Sequence, residues 1–165
     1  MEASSDVVSI SQKDFLNGPV VLDKPGVYQL VEDIIFQPIR DPINSRVHRS
    51  GWAFAISIAS SDVRLDLNGY TLQQGLSQQL LVRFFSTILI GDAFFQSRAQ
   101  GPFDMGGSVC LSNIEIMNGV LNKSSHFHIF SPCSSHVYIH DIYFKNFEVA
   151  AIQINQAEHV NISSC

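Results

Sequence analysis

The sequence predicts an all-β solenoid, in which short parallel strands stack on one another, with a β-sandwich as the alternative. Three observations lead to this prediction. Apolar residues recur at a step of 23 residues, they alternate with polar residues inside each repeat, and no repeat carries the 3.6-residue apolar stripe of a helix. A solenoid requires equivalent residues to recur at constant spacing because like residues stack on like, whereas a sandwich does not. The constant step therefore favours the solenoid.

The repeat is clearest from residue 113 to the end of the sequence. Neighbouring strands of a parallel stack lie about 4.8 Å apart, so residues that share the step should form columns at that spacing. On this basis residues 109–165 are assigned to regular coils that are open at the C-terminal end. The columns are Ile114, Val137 and Val160; Ile116, Ile139 and Ile162; Ile129 and Ile152; Leu121 and Phe144; and Asn118 and Asp141.

The rest of the chain fits the same single domain, 1–165, less regularly. Residues 1–36 are predicted to supply an N-terminal cap, near Asp14, and the first strands around a Pro25-Gly26 turn. Residues 53–72 alternate like the later repeats and end at an Asn68-Gly69 turn. Residues 38–51 and 75–108 are predicted as loops or excursions, and the 51 residues from position 62 to position 113 as one extra coil plus a small excursion.

Composition and cysteine spacing narrow the function classes. The chain is 45% apolar and 15% charged with a net charge of −5, which predicts a globular domain without affinity for nucleic acid or anionic membrane. No segment has the length and apolarity to insert in a membrane, and the N-terminus does not read as a signal peptide, so a cytoplasmic or virion-associated location is expected. Cys110, Cys133 and Cys165 lack metal-site spacing and are predicted to be buried or inert thiols in a reducing compartment. The glycosylation tripeptides at Asn122 and Asn161 have meaning only in the secretory pathway.

Four segments of the sequence resemble a known family. They read PGVYQLVEDIIF, AISIASSDVRLDLNGYTL, NIEIMNG and HVYIHDIYFKNF. They are similar to the pectin-lyase-like family of right-handed parallel β-helix repeat proteins, which includes pectate lyases, polygalacturonases, phage tailspikes and repeat proteins of large DNA viruses. The resemblance implies a right-handed β-helix, but a fold does not select an activity.

The family's catalytic patterns are not matched. The Asn-Thr-Asp, Gly-His-Gly and Arg-Ile-Lys motifs of polygalacturonase-like members do not occur in the sequence. The nearest counterpart of the aspartates that bind calcium in pectate-lyase-like members is the pair Asp62 and Asp66, without a second acidic cluster aligned to it. We therefore predict no catalytic residue, no cofactor and no metal ligand.

The alternation predicts one candidate ligand-binding face. If the apolar columns point inward, the residues between them point outward on one sheet face, with Asp62, Arg64 and Asp66 extending that face beyond an unassigned coil. Such a face would bind a sugar by ring stacking and hydrogen bonds; the alternative is an ordinary solvated surface. His126 and His128 are predicted at the surface or in turns, since no further metal ligand accompanies them. The candidate ligand-binding residues are Glu115, His136, Tyr138, His140, His159 and Asn161.

These observations favour a non-catalytic structural or recognition module, a component of a virion or surface assembly. Its open C-terminal coil is expected to associate with a protein partner or with a second copy of the chain. The alternatives are a lyase or hydrolase acting on polysaccharide and a glycan-binding module.

Overall fold

The computed structural model describes residues 6–38, 53–91 and 109–165. Within them the chain is almost entirely β-structure, with a 3-10 helix at Gln12–Phe15 and one α-helix, α1, at Leu76–Leu81. The strands are β1 (Val8–Ile10), β2 (Val20–Leu22), β3 (Gly26–Leu30), β4 (Ile34–Phe36), β5 (Phe54–Ile58), β6 (Val63–Asp66), β7 (Thr71–Gln74), β8 (Ser86–Ile90), β9 (Leu111–Ser124), β10 (Phe127–Ser131), β11 (Ser134–Phe147), β12 (Ala150–Ile154) and β13 (Ala157–Ser163).

The strands form two sheets, and every strand pairing is parallel. Sheet 1 has the order β1-β3-β6-β9-β11-β13, and β4 joins it through β7, which pairs with β9. Sheet 2 has the order β2-β5-β8-β10-β12. The chain visits the two sheets alternately, which parallel pairing permits because each crossover returns the chain to the same end of a sheet. The prediction of an all-β fold is confirmed.

The strand register follows the 23-residue step. Val137 pairs with Ile114 on one side and with Val160 on the other, and Ile129 pairs with Ile152 in the other sheet. The predicted columns are therefore in register. Ile114 and Val137 are fully buried, whereas Val160, on the last strand of sheet 1, is 38% exposed.

The prediction of an extra coil between positions 62 and 113 is wrong. Strand β6 pairs directly with β9, so that Leu65 lies opposite Ile116. The long interval between them instead contributes β8 to sheet 2, where Ile88 pairs with Ile56 and with Ile129. Residues 75–91, predicted as part of an excursion, therefore hold a helix and a fully buried strand. The remainder of that excursion and nearly all of the loop predicted at 38–51 lie outside the described residues.

The 3-10 helix adds an aromatic side chain to the core. Its entry is fixed by Asp14, whose carboxylate accepts hydrogen bonds from the Ser11 backbone N–H at 2.8 Å and from the Ser11 hydroxyl at 2.9 Å. The next residue, Phe15, is fully buried, and its ring meets that of Phe36 edge-on with centroids 6.1 Å apart. Phe36 in turn stacks on Phe85 at 5.6 Å. This aromatic row extends from the 3-10 helix into the core.

Left-handed backbone positions also recur in columns. Positive φ is uncommon outside glycine and is best tolerated by Asn, Asp and His, which occupy most of these positions. Asn118 and Asp141 both lie inside the continuous 14-residue strands β9 and β11, so they bend a strand rather than terminate it. One column holds Asp62, Asn113, His136 and His159 (φ 60, 57, 52 and 53°), and a second holds Asn68, Asn118, Asp141 and Ser164 (φ 52, 61, 55 and 53°).

Candidate functional site

The outer surface of sheet 1 carries two rows of mostly polar residues, which we call the polar face. In the first row Glu115 lies between Arg64 and Tyr138. The second row lies two residues further along the same four strands, which are β6, β9, β11 and β13. All eight side chains of the two rows are exposed or half-buried. The structure therefore brings Glu115, Tyr138, His140 and Asn161 onto one surface. Strand β6 belongs to the same surface because it pairs directly with β9. The rows are Arg64, Glu115, Tyr138 and Asn161, and Asp66, Met117, His140 and Ser163.

The two remaining candidates, His136 and His159, lie beside the polar face. Both are exposed and adopt the left-handed backbone of their column. Their ring centroids lie 4.8 Å apart, and the rings are tilted at an interplanar angle of 31°. Further along this column the Asn113 side-chain amide donates a 2.8 Å hydrogen bond to Asp62 Oδ1. These histidines therefore continue a ladder of stacked side chains at a strand bend.

A chain of charged groups crosses the polar face. Arg64 Nε lies 3.2 Å from Glu115 Oε2, and Glu115 Oε1 lies 3.1 Å from His140 Nε2. The other ring nitrogen of His140, Nδ1, is 2.7 Å from Asp141 Oδ2. Hydrogen bonds to Asp141 and then to Glu115 raise the pKa of His140. Since both ring nitrogens face carboxylate acceptors, the doubly protonated imidazolium satisfies both contacts.

An open groove of about 470 Å³ lies at one end of the polar face. Glu115 and Tyr138 line it, whereas the other four candidates lie outside it. The Tyr138 side chain is 46% exposed, so its ring is accessible from solvent. The residues that give the groove its chemistry are Val27, Asp62, Arg64, Asn113, Glu115 and Tyr138.

The groove combines an aromatic ring, an amide and two carboxylates with one guanidinium group. Asp62 accepts a hydrogen bond from Asn113, while Glu115 is held by Arg64 and His140. The polar groups are thus fixed in position before any ligand arrives. Within residues 6–38, 53–91 and 109–165, no three His, Cys, Asp or Glu side chains form a group that could hold a metal ion.

The surface prediction for His128 is wrong, because this side chain is fully buried. Its Nε2 lies 2.7 Å from the Lys145 carbonyl and its Nδ1 lies 2.9 Å from Thr87 Oγ1. A carbonyl can only accept, so Nε2 carries the proton and Nδ1 accepts from the Thr87 hydroxyl. Burial lowers the pKa of His128 to about 4, against a smaller opposing effect of the Lys145 carbonyl. The half-buried His126 also has a pKa lowered by burial.

Two of the three cysteines form a disulfide, contrary to the prediction of inert thiols. Cys110 and Cys133 are bonded, with Cα atoms 4.7 Å apart. They immediately precede Leu111 and Ser134, which pair across β9 and β11, so the bond joins equivalent positions of neighbouring strands. Their separation of 23 residues is the repeat step itself, and that signal in the sequence could have predicted the bond. Cys165 is free and exposed.

None of the helices in the described part of the chain is long and apolar enough to cross a membrane. Searches of protein-family models, of curated proteins and of solved structures find no match to this chain.

Proposed function

We propose that the two sheets are faces of one right-handed parallel β-helix, and that the chain is a non-catalytic recognition module built on it. The alternation of the strands between the sheets supports the helical path, as does the purely parallel pairing. The right hand is the one that almost all parallel crossovers adopt. A rigid stack of this kind presents side chains at fixed spacing along its outer surface.

The groove beside Tyr138 is the observation that carries the recognition proposal, and its ligand is carbohydrate. A sugar ring has an apolar face that packs on an aromatic ring and an equatorial rim of hydroxyls that needs hydrogen-bond partners. Tyr138 offers the ring, while the paired Asp62 and Asn113 and the carboxylate of Glu115 offer the partners.

The charges of the groove favour a neutral or amino sugar over a uronate. Asp62 and Glu115 place two negative charges at the groove, and the guanidinium of Arg64 is already bonded to Glu115. Among the described residues that line the groove, a uronate carboxylate would meet like charges without a free cation, which costs binding energy. An amino sugar would instead find an acceptor for its ammonium group.

We predict that Tyr138→Ala lowers affinity for neutral and amino-sugar oligosaccharides about fivefold, because it removes a stacking contact of roughly 1 kcal/mol. Calorimetric titration of the whole chain against cello-oligosaccharides, chitosan oligosaccharides and oligogalacturonate measures this. Tyr143→Ala is the matched control, since Tyr143 is also exposed on β11 but does not line the groove. The same mixtures, analysed for reducing ends and unsaturated uronates, should stay uncleaved.

Preferred binding of oligogalacturonate would contradict the sugar class while leaving the groove as a site. Equal losses for Tyr138→Ala and Tyr143→Ala, or binding to no member of the panel, would refute the recognition proposal itself.

A second function, structural assembly, is favoured by the apolar end at β12 and β13. Val160 is 38% and Ile162 50% exposed, although the residues one repeat earlier in their columns are fully buried. At the opposite end the inward residues of the edge strands, Ile10 and Leu22, are almost fully buried. Two copies of this chain would therefore meet through their β12 and β13 ends, as components of a virion or surface assembly.

We expect the chain to form dimers that Ile162→Lys converts to monomers, because a charge at this position would be buried at the contact. Size-exclusion chromatography with light scattering across a range of concentrations measures the mass. The control is Ile35→Lys, on β4, which has nearly the same exposure (48%) at a distant strand. A wild-type chain that is monomeric at every concentration would refute self-assembly.

A further inference from the structure

The two glycosylation tripeptides of the chain occupy opposite structural environments. Each places a serine two residues after an asparagine, at Asn122-Lys123-Ser124 and Asn161-Ile162-Ser163. We propose that Asn161 is an N-glycosylation site and that Asn122 is not. The modification itself does not depend on the groove, but the attached glycan would compete with a groove ligand for the Tyr138 ring.

At Asn161 every group that the modification needs is available. Asn161 and Ser163 are both exposed, on the outward side of β13. Among the described residues, the side-chain amide of Asn161 has no hydrogen-bond partner. A glycan attached there would leave the strand pairing of β13 with β11 unchanged, because outward side chains do not take part in the ladder.

At Asn122 the same groups are already engaged. Its Nδ2 donates to Gln73 Oε1 at 2.9 Å, and its Oδ1 accepts from Asn146 Nδ2 at 2.8 Å. Ser124 is fully buried, and its hydroxyl contacts the backbone carbonyls of Phe85 at 3.0 Å and Phe127 at 2.5 Å. A sugar on Asn122 would displace at least one amide of this ladder, so the folded chain selects against modification at this site.

The disulfide supplies the chemical setting. A bond between Cys110 and Cys133 is typical of an oxidising compartment, which is also where N-linked sugars are added. The disulfide and the exposed tripeptide at Asn161 therefore both indicate that the chain passes through the secretory pathway. This inference replaces the expectation of a reducing compartment, in which neither tripeptide would be glycosylated.

The reaction requires one co-substrate, an oligosaccharide linked to a lipid diphosphate, and a membrane-bound transferase. The Nδ2 atom of Asn161 forms a bond to the anomeric carbon of the first sugar. The bond between that carbon and the diphosphate oxygen breaks, the lipid diphosphate departs, and the amide proton passes to a base of the transferase. No oxidation or reduction takes place.

Tyr138 gives the attached glycan a surface to rest on. It pairs with Asn161 across β11 and β13 and lies in the same outward row. Directly opposed residues of neighbouring strands are close enough for an aromatic ring to contact what its neighbour carries. The first sugar of the glycan would pack on the Tyr138 ring, so the modification should raise the thermal stability of the chain.

The test is mass spectrometry of the full chain purified from its source, after enzymatic removal of N-glycans in heavy-oxygen water. This treatment converts a glycosylated asparagine to an aspartate that carries the heavy isotope. We expect the label at Asn161 and its absence at Asn122. A chain without label at Asn161, or with label at Asn122 in disulfide-bonded protein, overturns the proposal.

Variants separate the modification from effects on folding. Ser163→Ala should abolish the glycan, while Ser163→Thr, which retains the hydroxyl, should keep it. The melting temperature should drop on deglycosylation of the wild type and of Tyr138→Phe, but not of Tyr138→Ala. Glycan retained in Ser163→Ala would contradict the assignment of the site, and an equal drop in all three chains would contradict the packing on Tyr138.

Discussion

Replacing Cys133 by serine is expected to lower the free energy of unfolding by about 3 kcal/mol. The Cys110–Cys133 bond closes a loop of one repeat, and in the chain-entropy description a loop of this length restricts the unfolded state by about that amount. Urea denaturation of wild type and Cys133→Ser, followed by circular dichroism, measures the difference. Reductant should lower the stability of the wild type to nearly the level of the variant.

Cys165→Ser provides the matched control, because Cys165 is exposed and unbonded. This substitution should change the stability by less than about 0.5 kcal/mol, as is usual for surface positions. The double variant Cys110→Ser/Cys133→Ser should no longer respond to reductant. A wild-type chain whose denaturation midpoint is the same with and without reductant would show that the bond does not contribute.

Acidification from pH 6.5 to pH 4 is the second change expected to have a large effect. The pKa of His128 is about 4 in the folded chain, below its ordinary value of 6.5, so the unfolded chain takes up this proton first. The neutral His128 ring therefore makes its full contribution to the free energy of unfolding above pH 6.5, and this contribution is lost as the pH falls towards 4. The loss over that interval is on the order of 3 kcal/mol, from 1.36 kcal/mol per pKa unit.

The contribution of His128 is isolated by comparing variants, since the pKa values of His126 and His140 are also shifted in the folded chain. The lowered pKa of His126 acts in the same direction, whereas the raised pKa of His140 acts in the opposite one. His128→Phe should flatten the dependence of the urea midpoint on pH between 6.5 and 4 relative to the wild type. Parallel slopes for His128→Phe and wild type would contradict this account.

Much of the fold could be predicted because one step governs the later strands. Ile114, Val137 and Val160 identify a column from the sequence, and this column fixes the register in which β9, β11 and β13 pair. The direct pairing of β6 with β9 could not be predicted, since the long insertion between them hides the step. The length of an insertion alone does not show whether the strands on either side of it pair with each other.

The candidate site was predictable in its placement but not in its bonding. Alternation alone puts Glu115 and Tyr138 on one outward surface. The alternation cannot show that Glu115 is held between Arg64 and His140. Nor can it show that Asp141 contacts the other ring nitrogen of His140. The environment of His128 was missed for a related reason: sheet 2 is covered on both faces at β10, whereas an alternating pattern suggests that only one face is covered.

The left-handed columns set the increments by which such a chain can change in length during evolution. Deleting residues 134–156 removes one whole repeat and puts His159 where His136 stood and Ser164 where Asp141 stood. Deleting one further residue would put Val160 at the first of these positions, and a β-branched residue is strongly disfavoured at positive φ. A change of one whole repeat between neighbouring regular strands therefore preserves the left-handed positions, whereas a change of one residue within those strands does not.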